Sequence, residues 1–260
     1  MNTNDGEIMN IVAYGGGINS TAMLIECVNR NIKIDLILFA DTGGEKPHTY
    51  EYLKTFRKWC IENGLPKIIT VQQVNQYGTA ITLEQLCLNK HMLPSLAYGH
   101  KACSGKHKIA PQDKYVNNWL PAKSEWKAGR KITKLIGYDA DEPHRGNIKI
   151  DKKYNYWHPL KDDWDMGRDE CIKTIKNSGL CLPGKSACFY CPSSHKSEIL
   201  ELQDMYPQLM DRAIAIEQGA DLRVIKGLAR RWAWKDLIRQ KDAFGFERPP
   251  ELSCDCYDGN

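Results

Sequence analysis

The sequence predicts an α/β protein with a doubly wound parallel sheet, and two observations carry that expectation. Short, nearly continuous apolar runs recur through the first part of the chain, and helix-length segments separate each run from the next. Strands that read apolar on both faces are covered by helices on both sides, the environment of a parallel sheet. The first run, IMNIVAY, leads into the helical segment INSTAMLIECVNRN. The second, KIDLILFAD, leads into PHTYEYLKTFRKWCIENG, whose proline suits a first helical turn. KIITVQQV is the third strand; TLEQLCLNK and QDKYVNNWL read as helices before a fourth strand, ITKLIGYDA. From about residue 160 the pattern turns to helices and loops: DECIKTIKNSG, SSHKSEILELQDM, PQLMDRAIAIEQGA and LRVIKGLARRWAWKDLIRQK. No repeat or low-complexity linker intervenes, so residues 1–159 are expected to form the α/β domain and 160–260 a helical, cysteine-rich extension packed on it.

With 260 residues, 42% apolar and 26% charged, the chain can bury a large core. No stretch approaches the roughly 18 continuous apolar residues of a membrane span. The polar start MNTNDGEIMN lacks the basic, apolar and small-residue pattern of a secretory leader, so a cytoplasmic protein without a membrane partner is expected. A net charge of +4 accommodates an anionic substrate without demanding one. Ten cysteines in a reducing compartment should remain thiols, bind metal or do chemistry. Cys27, Cys60 and Cys87 lie within apolar helical patterns and read as small buried hydrophobes.

Ligands of this fold class bind beyond the carboxyl ends of the strands. There the stretch AYGGGINSTAML places Gly15, Gly16 and Gly17 between the first strand and its helix, followed by Asn19, Ser20 and Thr21. Such a turn is either a tight connection or a seat for phosphate or sulfate, where amides and the positive end of the helix dipole converge and hydroxyls add donors. The Walker lysine is missing, and the spacing is not GxGxxG. The second strand ends in FADTGGEKPH, delivering Asp41, Thr42 and Gly43 to the same rim. Lys106, Lys108, His144 and Arg145 are the charges expected to meet an anion, although each taken singly reads as solvated surface.

Together YGGGINSTA and DTGGEKPHTYEYL resemble the adenine nucleotide alpha-hydrolase (PP-loop) superfamily, in its phosphoadenosine phosphosulfate (PAPS) reductase-like branch. LIGYDADEPHR and ACSGKHKIAP resemble two further segments of that family, a strand end with a glycine and a later arginine, and a Cys-Lys-Pro element. The resemblance implies that the glycine loop binds the terminal phosphates or sulfate of an adenine nucleotide: ATP, adenylyl sulfate (APS) or PAPS. It implies that Asp41, Thr42 and Gly43 line the nucleotide pocket, and that Gly137 and Arg145 help hold the ligand. Gly15 stands where ATP-using members have serine, and Asn19 where they have aspartate. An amide brings no negative charge to a magnesium ion, so the accompanying Mg is less directly implied.

CLPGKSACFYCP holds Cys181, then Cys188 and Cys191 in a C-x-x-C knuckle ending in proline. Soft thiolates at this spacing suit zinc or two corners of an iron–sulfur cluster. A redox pair is disfavoured, because a thioredoxin-type motif sits between strand and helix whereas this one follows a Gly/Pro-rich loop. The expected ligand set is Cys103, Cys181, Cys188 and Cys191. In the resembled branch, cluster-bearing sulfonucleotide reductases and the DNA-phosphorothioation sulfur-transfer protein place a [4Fe-4S] cluster on a cysteine of the Lys-Pro segment plus a downstream C-x-x-C. The reductases carry a Cys-Cys pair where this chain has Ala102 and Cys103. They also use a nucleophilic tail cysteine, which makes Cys254 and Cys256 of ELSCDCYDGN the catalytic candidates. The family's Glu-Cys-Gly tail signature is missing, and Asp255 and Asp258 oppose thiolate formation.

The leading expectation is therefore an enzyme of sulfonucleotide reduction, served by a thioredoxin-like reductant. The alternative is ATP-dependent, iron–sulfur-assisted sulfur transfer of the nucleic-acid thiolation type, served by a sulfur donor. A third reading is a non-catalytic, zinc-stapled module that binds nucleic acid through Arg230, Arg231, Lys235, Arg239 and Lys241 beside Trp232 and Trp234. Such a helix more often packs its tryptophans and leaves its charges in water, which is the favoured reading here.

Overall fold

The computed structural model describes residues 8–145, 151–223 and 225–244. Five strands, β1 Asn10–Tyr14, β2 Leu36–Ala40, β3 Ile68–Val71, β4 Ile132–Leu135 and β5 Tyr154–Trp157, form one sheet in the order β3-β2-β1-β4-β5. Every pairing is parallel, with Val12 facing Ile37 on one side and Leu135 on the other. The expected α/β class with a parallel sheet is therefore what forms. β5, YNYW, is a strand the apolar pattern did not announce, because four residues with a central Asn give too little periodicity.

Successive strand residues point to opposite faces, and both faces are buried. Val12, Tyr14, Ile37 and Phe39 pack under α1 (Ile18–Asn29), α2 (Pro47–Glu62) and the helix Arg168–Asn177. Ile11, Leu36, Leu38 and Ala40 pack against Val116 and Ala122 of the helices Ala110–Asn118 and Leu120–Lys127 on the other side. A further core gathers Leu83, Cys87, Leu93 and Ala97 with Phe189, Tyr190, Ile199, Met210 and Trp234. The sheet's first core thus takes in Leu160, Met166, Cys171 and Ile175 from beyond Pro159, while the last core recruits residues from well before it.

The helix expected over LRVIKGLARRWAWKDLIRQK starts only at Trp234. Before it, residues 225–233 are turns, and Arg230 has φ of 63°. The cause is Glu217, whose buried carboxylate accepts the N–H groups of Leu228, Trp234 and Lys235 at 2.8, 2.9 and 3.2 Å and so fixes where the last helix begins. Trp234 is fully buried, in keeping with the packed reading of this segment. No helix among the described residues is long and apolar enough to cross a membrane.

Candidate functional site

The strand order reverses between β1 and β4, and a crevice opens at their carboxyl ends, where this architecture places ligands. Gly17 caps α1 with extended backbone and no side chain, and no acid occupies the first helical turn, so the leading amides of α1 face the crevice without a competing cap. Ser20 Oγ accepts the Gly15 N–H at 3.2 Å and donates to the Gly17 carbonyl at 3.3 Å, shaping the loop while still lining the cleft. Gly137 sits where an added Cβ would lie 2.8 Å from Ser20 Cα, so its missing side chain is what lets α1 approach the end of β4.

Lys108, Arg145, Arg168 and Lys185 all line this cleft, and among the described residues no carboxylate does. Lys108 pairs at 3.2 Å with Glu45, whose side chain is wholly buried; Arg145 pairs with Glu142 at 2.6 Å and lies over the Tyr138 ring. Lys185 pairs with Glu198 at 2.9 Å. Arg168 donates through Nη1 to Asn19 Oδ1 at 3.1 Å. Positive charge thus outweighs negative charge at the cleft surface, and a charge-assisted contact to phosphate is available from each wall.

Several expected residues lie elsewhere. Gly16, with φ of 77°, does not line the cleft; a Cβ there would meet Phe39 and Thr49 at 3.3 Å and Ser186 Oγ at 3.5 Å. Thr21 is buried, and its hydroxyl donates to the Gly17 carbonyl at 2.8 Å. Lys106 and His144 are exposed and do not line the cleft. Residues two apart on a helical turn point away from each other, so the wide π turn Gly105–Ile109 that aims Lys108 inward carries Lys106 outward.

The second-strand loop also does not line the cleft; it braces the last core. Asp41 accepts from Gly43 N, Tyr50 Oη and Gln72 Nε2 at 2.7, 2.8 and 2.9 Å, closing its own turn. Gly43 has φ of 73° and abuts Thr82. Thr42 is buried with its hydroxyl 3.1 Å from Cys188 Sγ. Burial, with Glu45 adding, pushes the Cys188 thiol up to about 12, against Lys108 and Thr42. Burial likewise raises Cys27, Cys60 and Cys87 to about 12, as expected of inert core thiols.

Cys103, Cys188 and Cys191 share the last core, and Cys103 lies within electrostatic reach of Cys188. Cys181 is exposed and lies near Tyr52 instead. The separation follows from residues 184–186, which are pinned between: Gly184 abuts the His48 ring, the Lys185 carbonyl meets His48 Nε2 at 3.1 Å, and Ser186 Oγ donates to the Gly15 carbonyl at 2.6 Å. The donors suit a soft metal, but among the described residues no three His, Cys, Asp or Glu side chains stand together closely enough to hold an ion. Cys254 and Cys256 lie outside the described residues.

Sequence reading missed Arg168, Lys185, Ser186 and Asp139. Asp139 is buried, and its Oδ2 accepts from Asn19 Nδ2 at 2.7 Å, so a carboxylate stands directly behind the amide. Burial holds this carboxyl above the ordinary value, with Asp141 adding and Asn19, Arg168 and Arg145 opposing. A raised folded-state pKa gives stability that is complete below the unfolded value, near pH 4, and lost as pH rises through the folded one. Asp139→Asn should therefore gain melting temperature over wild type at pH 7 and lose that advantage toward pH 4. A gap of equal size at both pH values would contradict the assignment.

No protein-family model matches the chain. No curated protein sequence matches it. Among solved structures it is similar to the U34-tRNA thiolase NcsA from Methanococcus maripaludis with its [4Fe-4S] cluster, at 16% identity over 94% of this chain and 84% of that one, with a TM-score of 0.44.

Proposed function

We propose that this chain is an adenine-nucleotide-dependent sulfurtransferase of the PP-loop type, holding ATP phosphates in the β1–β4 cleft. The observation that carries the reading is a single segment: Gly184, Lys185 and Ser186 line the cleft, and Cys188 and Cys191 follow immediately in the adjoining core. Nucleotide binding and thiol chemistry are thereby joined by a few residues of continuous backbone. The first-turn amides of α1, with Lys108, Arg168 and Lys185, would receive phosphate oxygens and stabilise the charge that develops on departing pyrophosphate.

Asn19 favoured sulfonucleotide reduction at the level of sequence, because an amide offers nothing to a magnesium ion. Asp139 Oδ2 accepts from that amide at 2.7 Å on its buried side, outside the cleft, so it orients Asn19 rather than facing a cation, and the preference for sulfur transfer rests on the cysteine segment beside the cleft. Cys103, Cys188 and Cys191, which meet in one core without standing as a closed ligand set, are the cysteines that would have to draw together around an iron–sulfur cluster; Thr42 contacts Cys188, and Ser95 Oγ accepts the Cys103 N–H at 2.7 Å. When bound, a cluster supplies soft-metal coordination for sulfur.

Calorimetric titration with Mg-ATP and with adenylyl sulfate tests the reading, on protein purified anaerobically and assayed for iron and zinc. Mg-ATP should bind, and Arg168→Gln should weaken it about tenfold or more, as loss of a charged hydrogen bond does. The protein should be brown and lose iron in Cys188→Ser. Adenylyl sulfate binding, with sulfite and AMP released once a dithiol supplies the two electrons, in the absence of ATP binding, would return the assignment to reduction; stoichiometric zinc would remove the cluster.

A further inference from the structure

We infer that the protein has a second anion site, separate from the cleft, which takes a single-stranded nucleic acid. Tyr98, Ile225, Lys226, Arg230 and Arg231 line a pocket of about 460 Å³, inside the roughly 300–1,000 Å³ usual for ligand clefts. Its three cations are exposed, and among the described residues none of them makes an ion pair or side-chain hydrogen bond. Five other arginines are answered by acids: Arg30 by Glu26, Arg130 by Glu125, Arg145 by Glu142, Arg212 by Glu84 and Arg223 by Asp221. Three like charges converging with no counter-ion among the described residues are unfavourable until an anion arrives.

The backbone supports a built pocket. Arg230 holds φ of 63°, a left-handed conformation that a long side chain rarely adopts, and its guanidinium covers Gly99, itself at φ of 92°. A Cβ on residue 99 would lie 3.1 Å from Arg230 Nη1, so the glycine is what admits the arginine. On the other wall is Tyr98, its hydroxyl fixed by the Leu93 N–H at 3.1 Å and its ring nearly parallel to His100. A fixed aromatic face beside clustered cations matches a base stacked next to its phosphates, the way single strands are held. An acidic peptide would use the cations but not the ring.

As a statement of binding this stands apart from the cleft. Naming the strand as the sulfur acceptor rests on the sulfurtransferase reading, and Ser95, whose hydroxyl anchors Cys103, begins the short turn that presents Tyr98.

Anisotropy of short labelled single strands of DNA and RNA, titrated over a range of salt, tests the inference, with Mg-ATP binding measured in parallel. Arg230→Gly suits the left-handed backbone, so its melting temperature should be maintained while strand affinity falls about tenfold. Lys226→Gln with Arg231→Gln should lower the slope of log K against log salt by about 1.4, at about 0.7 per phosphate contact on a single strand. Exposed Lys54, paired with Glu51, is the control, and Lys54→Gln should change neither quantity. No binding of either strand by wild type at low salt, unchanged affinity and slope in the pocket variants, or an equal loss in Lys54→Gln would each overturn the site. Loss of Mg-ATP binding in wild type would instead sink the cleft reading and leave this one standing.

Discussion

Replacing Lys108 by methionine should destabilise the protein by about 3–5 kcal/mol, the usual cost of removing one partner from a buried ion pair. The Glu45 carboxylate has no solvent-exposed side-chain surface; Lys108 Nζ lies 3.2 Å from it, and Ser186 Oγ, whose proton goes to the Gly15 carbonyl, lies 3.3 Å away. Methionine fills nearly the same volume, so packing is conserved and the loss reports the stranded charge. The double variant Lys108→Met, Glu45→Gln should recover most of that stability, since a neutral amide no longer needs a cation. It should still bind Mg-ATP poorly, because a positive charge at the cleft is gone in both variants. Denaturant unfolding of the two single variants and the double gives the coupling energy directly. A Lys108→Met protein as stable as wild type would mean that Glu45 is solvated, and the wall between α2 and the cysteine segment would have to be redrawn.

What could be read from the sequence was what is local in the chain. The first four strands, α1, α2 and the glycine loop each declare themselves within about a dozen residues, through period and turn chemistry. The cleft does so only in part: Lys108 and Arg145 could be named in advance, but Arg168 and Lys185 lie far along the chain in segments that read as loop. Lys106 and Lys108 looked equivalent as letters; only the π turn at Gly105–Ile109 decides which one faces inward. DTGG looked like a ligand loop for the same reason that it is a good brace: Asp41 satisfies its own turn, and Gly43 and Gly44 leave room for Thr82 and Tyr190. Asn19 is the sharpest case. Read alone it is an amide with no set direction, yet the Asp139 carboxylate and the Arg168 guanidinium, both far along the chain, hold it from two sides. Residue identity at one position is a weak guide where two strand ends meet, because the other end supplies the partners that orient it.

That meeting of strand ends is also where one methyl group should have a large effect. Gly137→Ala would put a Cβ 2.8 Å from Ser20 Cα, 2.9 Å from Ser20 N and 3.1 Å from the Asn19 carbonyl carbon. All three are backbone atoms, and no rotamer change relieves the contact. Either the end of β4 or the first turn of α1 must move, at a cost of about 1–3 kcal/mol for overpacking. The functional cost should be greater than the stability cost. The displaced turn carries the amides that face the cleft, and it carries Asn19, whose hydrogen bonds to Asp139 and Arg168 fix its orientation. Mg-ATP affinity should therefore drop steeply in a protein that still unfolds cooperatively. Gly105→Ala is the matched control: an added Cβ there meets nothing within 4 Å, so binding should be unchanged. If Gly137→Ala melts and binds like wild type, α1 is not held against β4 as described, and an anion seat at that junction loses its physical basis.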